Sequence, residues 1–569
     1  MLRVRPMRRL VIVLTLIAMS LLGFAAIPPH TVGASQRYQL QPQHVGGILH
    51  LVANSAGGTL DPQVNYIEQY WQLYQATYDS LVGFQKVGST AQSTDIVPDL
   101  ATSMPKLSHG DRTYTFTLRR GIRFSNGKAV TVNDVIATFQ RLFKVLSPNA
   151  GLWYSDIVGG PACMKAPATC TLKGGVVVNS VTNSVVINLI SPDSVFLDQL
   201  AEPFCSIIPA DTPPTDQGDK PIPGTGPYMF KSYNPNSALI LVRNPYFHIW
   251  NAVAQPNGYP SEIEETFGAT AESEVTEVEN GQADWMYDFP PADRLAEIST
   301  KYASEVHLNA LGADWYVPMN MNIPPFNNLK ARQAVNYAVN KFTTVTLYGG
   351  KELGVPTCTI LPPDVPGRLN YCAYNSTNSS TYTGPNLAKA KALVKASGTY
   401  GEKVGVVAIN DPVDESVGEY IQGVLNSIGY KATLKPLALN IMWPYVQNSN
   451  NKVQISVLQW YQDYPAGSDF LTVLLGCADF HKGSDSSPNV AGMCVPSIDK
   501  LEAQAAAEEM TNAAAANAMW GKIDKLVMTT EAPWVPLFNP VQVDFVSKRV
   551  GNYHFSLVFN MFVDQLWVK

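Results

Sequence analysis

The residue best placed to do chemistry in this 569-residue chain is Asp463, which lies within Trp460-Tyr461-Gln462-Asp463-Tyr464-Pro465, one carboxylate among three aromatic side chains. The preceding Val453–Gln459 alternates with the period of two of a β-strand, so the segment falls at a strand's carboxyl end, where open α/β sheets hold ligands. A carboxylate among rings suits an organic ammonium group. The charge accepts strong hydrogen bonds, and the ring faces add cation–π attraction of about 0.5–2 kcal/mol. An aspartate two residues before a proline equally serves to cap a turn. A second group, Tyr66, Glu68 and Tyr70, has spacing that fits a helix start with aromatic core residues better than a binding surface.

Other chemistries find little support. There is no G-x-S-x-G, H-E-x-x-H or G-x-x-x-x-G-K-[ST] pattern, so hydrolase, zinc-protease and nucleotide-binding readings lack their usual markers. The eight histidines are scattered singly and no C-x-x-C occurs; neither a metal site nor a cofactor is expected. Sequence proximity pairs the seven cysteines as Cys163–Cys170, Cys358–Cys372 and Cys477–Cys494, leaving Cys205 single; other connectivities remain open.

The chain opens with Arg3, Arg5, Arg8 and Arg9 ahead of the apolar run Leu10–Ala26, which is shorter than the roughly 18–20 residues of a spanning helix. Small residues at Val32-Gly33-Ala34 supply a cleavage point. Residues 1–34 are expected to be a signal peptide, with an uncleaved membrane anchor as the alternative. That segment holds four arginines and no acids, so its removal moves the formal charge from −6 to −10. An exported, acidic, monomeric protein follows, with no nucleic-acid partner and a mild preference for cationic solutes. Oxidising surroundings favour disulfides.

The elements that must position Asp463 are legible. Tyr114, Phe116 and Leu118 alternate with threonines, Asn126-Gly127 is a tight turn, and Thr131 to Asp134 is a capping box ahead of a helix with Val135, Phe139, Leu142 and Phe143 on one side. A helix carrying Tyr70, Leu73, Tyr74 and Leu81 follows Leu60-Asp61-Pro62. Asn386 caps Leu387–Ser397, which stops at Gly398. Lys403–Ile409, a helix over Val413–Ile428 and Tyr430–Leu437 form a strand–helix–strand unit with the spacing of a parallel crossover.

The run from Tyr114 to Arg141, YTFTLRRGIRFSNGKAVTVNDVIATFQR, together with Leu60-Asp61-Pro62, Pro223-Gly224-Thr225-Gly226-Pro227-Tyr228, Arg243-Asn244-Pro245-Tyr246 and Arg332-Gln333-Ala334, closely resembles the family 5 extracellular solute-binding proteins. These are the peptide-capturing components of ABC importers. The resemblance spans nearly all of the mature chain and implies a two-lobed α/β fold of the periplasmic-binding-protein type (class II), with an extra subdomain in lobe one. Lobe one is expected at 40–270, with the subdomain at about 80–190, lobe two at 271–530, and a C-terminal return to lobe one at 535–569. A peptide or other small solute would sit between the lobes, and an ABC permease would receive it. Relatives also bind nickel complexes, oligosaccharides and opine-like compounds. Trp460, Asp463 and Tyr464 match the family's W-x-x-D-Y segment, whose aspartate faces a peptide's α-ammonium; Tyr461, Tyr66 and Asn320 complete the expected ligand-binding set. The continuation departs from the family's DYxDP, reading Asp463-Tyr464-Pro465-Ala466-Gly467-Ser468-Asp469. Many relatives are lipoproteins with a cysteine just after the apolar run; here the first cysteine is Cys163, so that route is not expected.

Overall fold

The computed structural model describes residues 44–363 and 365–569; the expected signal segment 1–34 and the start of the expected first lobe at 40–43 lie outside them. The strand-turn-helix unit forms as read. Thr113–Thr117 is a strand, Gly127 turns the chain at φ 82°, and the helix Val132–Lys144 opens on the Thr131 cap. There the Thr131 amide and hydroxyl both donate to Asp134 Oδ2, at 2.8 and 2.7 Å. Val135, Phe139, Leu142 and Phe143 bury one face of this helix in a core that also holds Tyr114 and Phe116.

Two motifs far apart in sequence turn out to form one joint. Buried Arg141, at the end of the signature, donates from Nη1 to Asp61 Oδ1 at 3.0 Å and to Gln63 Oε1 at 2.8 Å. The glycines of Pro223–Tyr228 have an equally local cause. A Cβ at Gly224 would stand 2.0 Å from the Thr77 carbonyl oxygen, so only glycine lets this loop cross the end of the helix Glu68–Thr77.

Four sheets carry the fold: two of five strands, a parallel one of three, and the four-stranded sheet of the signature region. The first runs Trp285–Met286, Ile48–Ala53, Glu262–Phe267, Ala238–Arg243, Tyr228–Asn234, with Ile48–Ala53 parallel to both its neighbours. The second places Trp534–Phe545 between Val306–Ala310 and Ala313–Pro318, and ends at Leu458–Tyr461. The third is parallel, with Lys403–Ile409 between Lys431–Leu437 and Ile455–Ser456. The antiparallel sheet of 106–188 shares its core with the first sheet.

Strand pairing corrects several expectations. The single strand expected over Val453–Gln459 is two: Ile455–Ser456 belongs to the third sheet, and Leu458–Tyr461 pairs antiparallel with Ala313–Pro318. Alternation reports which faces are buried but not which neighbour pairs, so a change of sheet within one run leaves no mark. Strand pairing crosses the expected boundary at 270/271 and the expected start of the C-terminal return at 535. Trp285–Met286 joins the first sheet, and Trp534–Phe545 lies inside the second. The core shared with the first sheet takes Tyr464 and Ala466, and then residues from Val546 to Val568. The helix carrying Tyr70 ends at Thr77, leaving Leu81 as a core residue beyond it. The sulfurs of Cys163–Cys170, Cys358–Cys372 and Cys477–Cys494 are paired, and Cys205 is free and buried.

Candidate functional site

A cavity of about 510 Å³ gathers Asp463, Trp460, Tyr461 and Tyr66 on one wall system, beside Glu68, Asp288, Trp443 and Gln542. Trp460 and Tyr461 are the last residues of an edge strand, held in register by the pairs Ala313–Tyr461 and Asp314–Trp460. The next residue closes the corner: the Gln462 amide donates to the Gly312 carbonyl at 2.7 Å, and its Nε2 donates to the Leu557 carbonyl at 2.5 Å. A Cβ at Gly312 would fall 2.2 Å from the Gln462 side chain, so this glycine makes room for the turn that presents Asp463.

Asp463 is 5% exposed. Its backbone amide donates to Asp469 Oδ2 at 3.0 Å, and the Trp460 indole donates to the same oxygen at 3.3 Å. Asp469 stands in the first turn of the helix Gly467–Leu475, so one carboxylate fixes both the strand end and the loop. The Tyr66 hydroxyl donates to Asp463 Oδ1, while Oδ2 has no partner. The Tyr66 ring packs on Trp71 and Phe204, each 5.5 Å away between centroids.

The electrostatics are lopsided. Burial pushes the Asp463 carboxyl up to about 7, with the Tyr66 hydroxyl pulling the other way. Burial, then the charge of Asp463, raises Asp469 well above the carboxylate range. Glu202 lies behind them, fully buried with neither oxygen partnered, and is raised by the same two causes in the same order. Glu68 is pushed up to about 8, by burial and then by Asp544. Among the described residues, no lysine, arginine or histidine lines the cavity. A site with an unpartnered carboxylate oxygen, a surplus of buried acids and aromatic walls has the chemistry to accept a cationic group.

Two expected site residues lie elsewhere. Asn320 is not on the cavity wall: its Nδ2 donates to the Val453 carbonyl at 3.0 Å and its Oδ1 accepts from the Asn322 amide, so its polar atoms are spent on backbone. Tyr464 is buried and faces a neighbouring cavity. Sequence reasoning did not find Asp288, Trp443 or Gln542, which come from separate segments, nor Glu202. Asp469 was visible only as a displaced acid.

The fold and this cavity define a two-lobed α/β solute-binding protein. The profile of bacterial extracellular solute-binding proteins, family 5 (middle region), matches residues 95–482, and the chain belongs to that family. It is similar to Heme-binding protein A of Haemophilus influenzae, 26% identical over 507 residues, covering 84% of each chain. It is also similar to the Dipeptide-binding protein of Escherichia coli, 25% identical over 515 residues, covering 84% of this chain and 88% of that one. Among solved structures, the clavulanic acid biosynthesis oligopeptide binding protein 2 superposes with a TM-score of 0.81 at 22% identity. That superposition covers 92% of this chain and 96% of the other.

Proposed function

We propose that this protein captures peptides by their free amino terminus, with Asp463 as the acceptor of the α-ammonium, and delivers them to an ABC permease. The carrying observation is the buried Asp463 carboxylate whose Oδ2 lacks a partner inside an aromatic cavity free of basic side chains. Leu458–Tyr461 is the last strand of its sheet, so its outer edge offers backbone groups to an extended peptide. Trp460, Tyr461 and Trp443 give apolar contact that tolerates varied side chains. The similarity to a dipeptide-binding protein supports the same reading. Haem is a poorer fit, because its propionates would meet Glu68, Asp288 and Asp463 with no cation nearby. An oligosaccharide could use the aromatic walls but offers nothing to the carboxylate.

The reading is a binding protein rather than an enzyme, exported after cleavage near Ala34, working as a monomer whose two lobes close on the solute. We assign lobe one to the first sheet, the 106–188 sheet and residues 546–569, and lobe two to the second and third sheets. Calorimetry with a pool of peptides lacking lysine and arginine, and the same pool N-acetylated, tests the function. Binding of the free-amine pool alone is expected; equal binding of both pools overturns the assignment of Asp463, and binding of neither overturns the substrate class. N-terminal sequencing of the exported protein should start after Ala34, and an intact Met1 would contradict the signal assignment.

A further inference from the structure

A second cavity, of about 350 Å³, abuts the first. Tyr66 lines the first and Trp153 the second, and their rings meet edge to face at 6.5 Å. Asp463 and Tyr464, adjacent in sequence, likewise serve one cavity each. One wall comes from residues 152–199 and the other from 464–506. Beside the cavity, Ser194 of the first wall donates to Glu509 Oε2 at 3.0 Å.

The charges in this cavity have one sign. Asp193, Asp479, Asp499 and Glu502 line it, and among the described residues no lysine, arginine or histidine does. Glu502 decides its character: it is 3% exposed, and its Oε1 has no hydrogen-bond partner. The Thr472 hydroxyl, also on the cavity wall, bears on the same carboxyl; a buried acceptor left unmade is costly, so Oε1 has room for a further donor that the described residues do not supply. Asp193 and Asp499 each hold a backbone amide, from Val195 at 3.0 Å and Cys477 at 3.3 Å, and retain further acceptor capacity. His481, the base acting on Asp479, is exposed and outside the lining. Trp153, Val195, Tyr464 and Val473 supply apolar surface between the acids.

We propose that this cavity is a second ligand site, that it takes an organic ammonium or guanidinium group on an apolar stem, and that Glu502 is the principal acceptor. A bare divalent ion fits less well. Among the described residues, the one group of potential ligand atoms within 4.8 Å of one another is Cys477, Cys494 and Asp499, and those two sulfurs are joined in a disulfide. The lining carboxylates are too spread to converge on one ion, whereas an organic cation carries several donors across a wider span. The cation belongs either to a free diamine-like solute or to a basic side chain of a peptide, and both present the same chemistry. An occupant would touch both walls and so favour their approach. Burial, then the charge of Asp499, pushes Glu502 up to about 7, and burial pushes Asp193 and Asp479 to about 6. A bound cation lowers these values and releases protons near pH 7.

The experiment is titration calorimetry on Asp463→Asn protein, in which the first cavity has lost its proposed anchor while Glu68 and Asp288 remain, with agmatine, with an N-acetylated peptide bearing one internal arginine, and with calcium chloride. Agmatine or the peptide should bind one per chain, whichever does naming the source of the cation. Measurements in buffers of differing ionisation enthalpy should show proton release at pH 7. Glu502→Gln, which keeps the shape, should weaken that binding at least tenfold with an unchanged melting temperature. Absence of binding by both organic probes, binding unaffected by Glu502→Gln, or calcium as the only ligand each overturns the proposal. None of these outcomes bears on peptide capture at Asp463, which is read with the unsubstituted protein.

Discussion

Replacing Asp463 with asparagine removes one charge while leaving an oxygen to accept from Tyr66. The side chain is buried, and truncating one member of a buried charged pair costs about 2–5 kcal/mol. Because the amide still offers an acceptor, the loss should fall at the low end, about 2–3 kcal/mol, or about 30- to 150-fold in peptide affinity. The ionisation of Asp463 adds a pH signature. With its carboxyl at about 7, a substantial share of the free protein is already charged at pH 7, so completing the ionisation takes little from the binding energy. The ammonium binds the ionised form, so lowering the pH to 5.5 should weaken wild-type binding about fifteenfold. Above about pH 8 the peptide amine loses its own proton and affinity falls again. Calorimetry from pH 5.5 to 8.5 should therefore give a maximum near 7 to 8 for wild type and no acid limb for Asp463→Asn. If the variant binds as tightly as wild type, or if wild-type affinity is flat from pH 7 to 5.5, Asp463 is not the anchor.

Tyr66→Phe removes the donor on Asp463 Oδ1; it should weaken peptide binding about 5- to 20-fold and move the acid limb to higher pH, which the same titrations would read. Arg141→Ala strands Asp61 at the joint between the two motifs. It should cost about 3–5 kcal/mol in urea unfolding, against under 1 kcal/mol for the exposed Lys128→Ala. Peptide mapping without reduction should recover Cys163–Cys170, Cys358–Cys372 and Cys477–Cys494, and native Cys205, whose thiol burial pushes up to about 12, should resist alkylation until the protein is unfolded.

What the sequence made legible was local. The Thr131 cap, the Asn386 and Gly398 ends of the helix Leu387–Ser397, and the parallel strand–helix–strand of 403–437 rest on neighbours a few residues apart, and each stands where it was expected. The cysteine pairs span separations of 7, 14 and 17 residues, short enough for proximity to suffice. The site itself is assembled from at least six segments, and there local reasoning failed in characteristic ways. Tyr66 stands just ahead of the helix Glu68–Thr77, as its spacing reads; what local spacing could not reach was its partner Asp463, 397 residues away. Asn320 has the composition of a ligand residue, yet its amide donates to the Val453 carbonyl, 133 residues away, a contact that local spacing does not reveal. Asp469, the acid displaced from the family pattern, is a strut for Trp460 and Asp463.

The central claim is that a peptide's amino terminus occupies the cavity at Asp463. Mass spectrometry of the solute released by denaturing protein purified from the exported fraction tests it most directly. Peptides with unmodified amino termini, present in wild-type protein and depleted in Asp463→Asn, are the expected result. A sugar, a haem, a metal complex, or amino-blocked peptides retained equally by both proteins would contradict it.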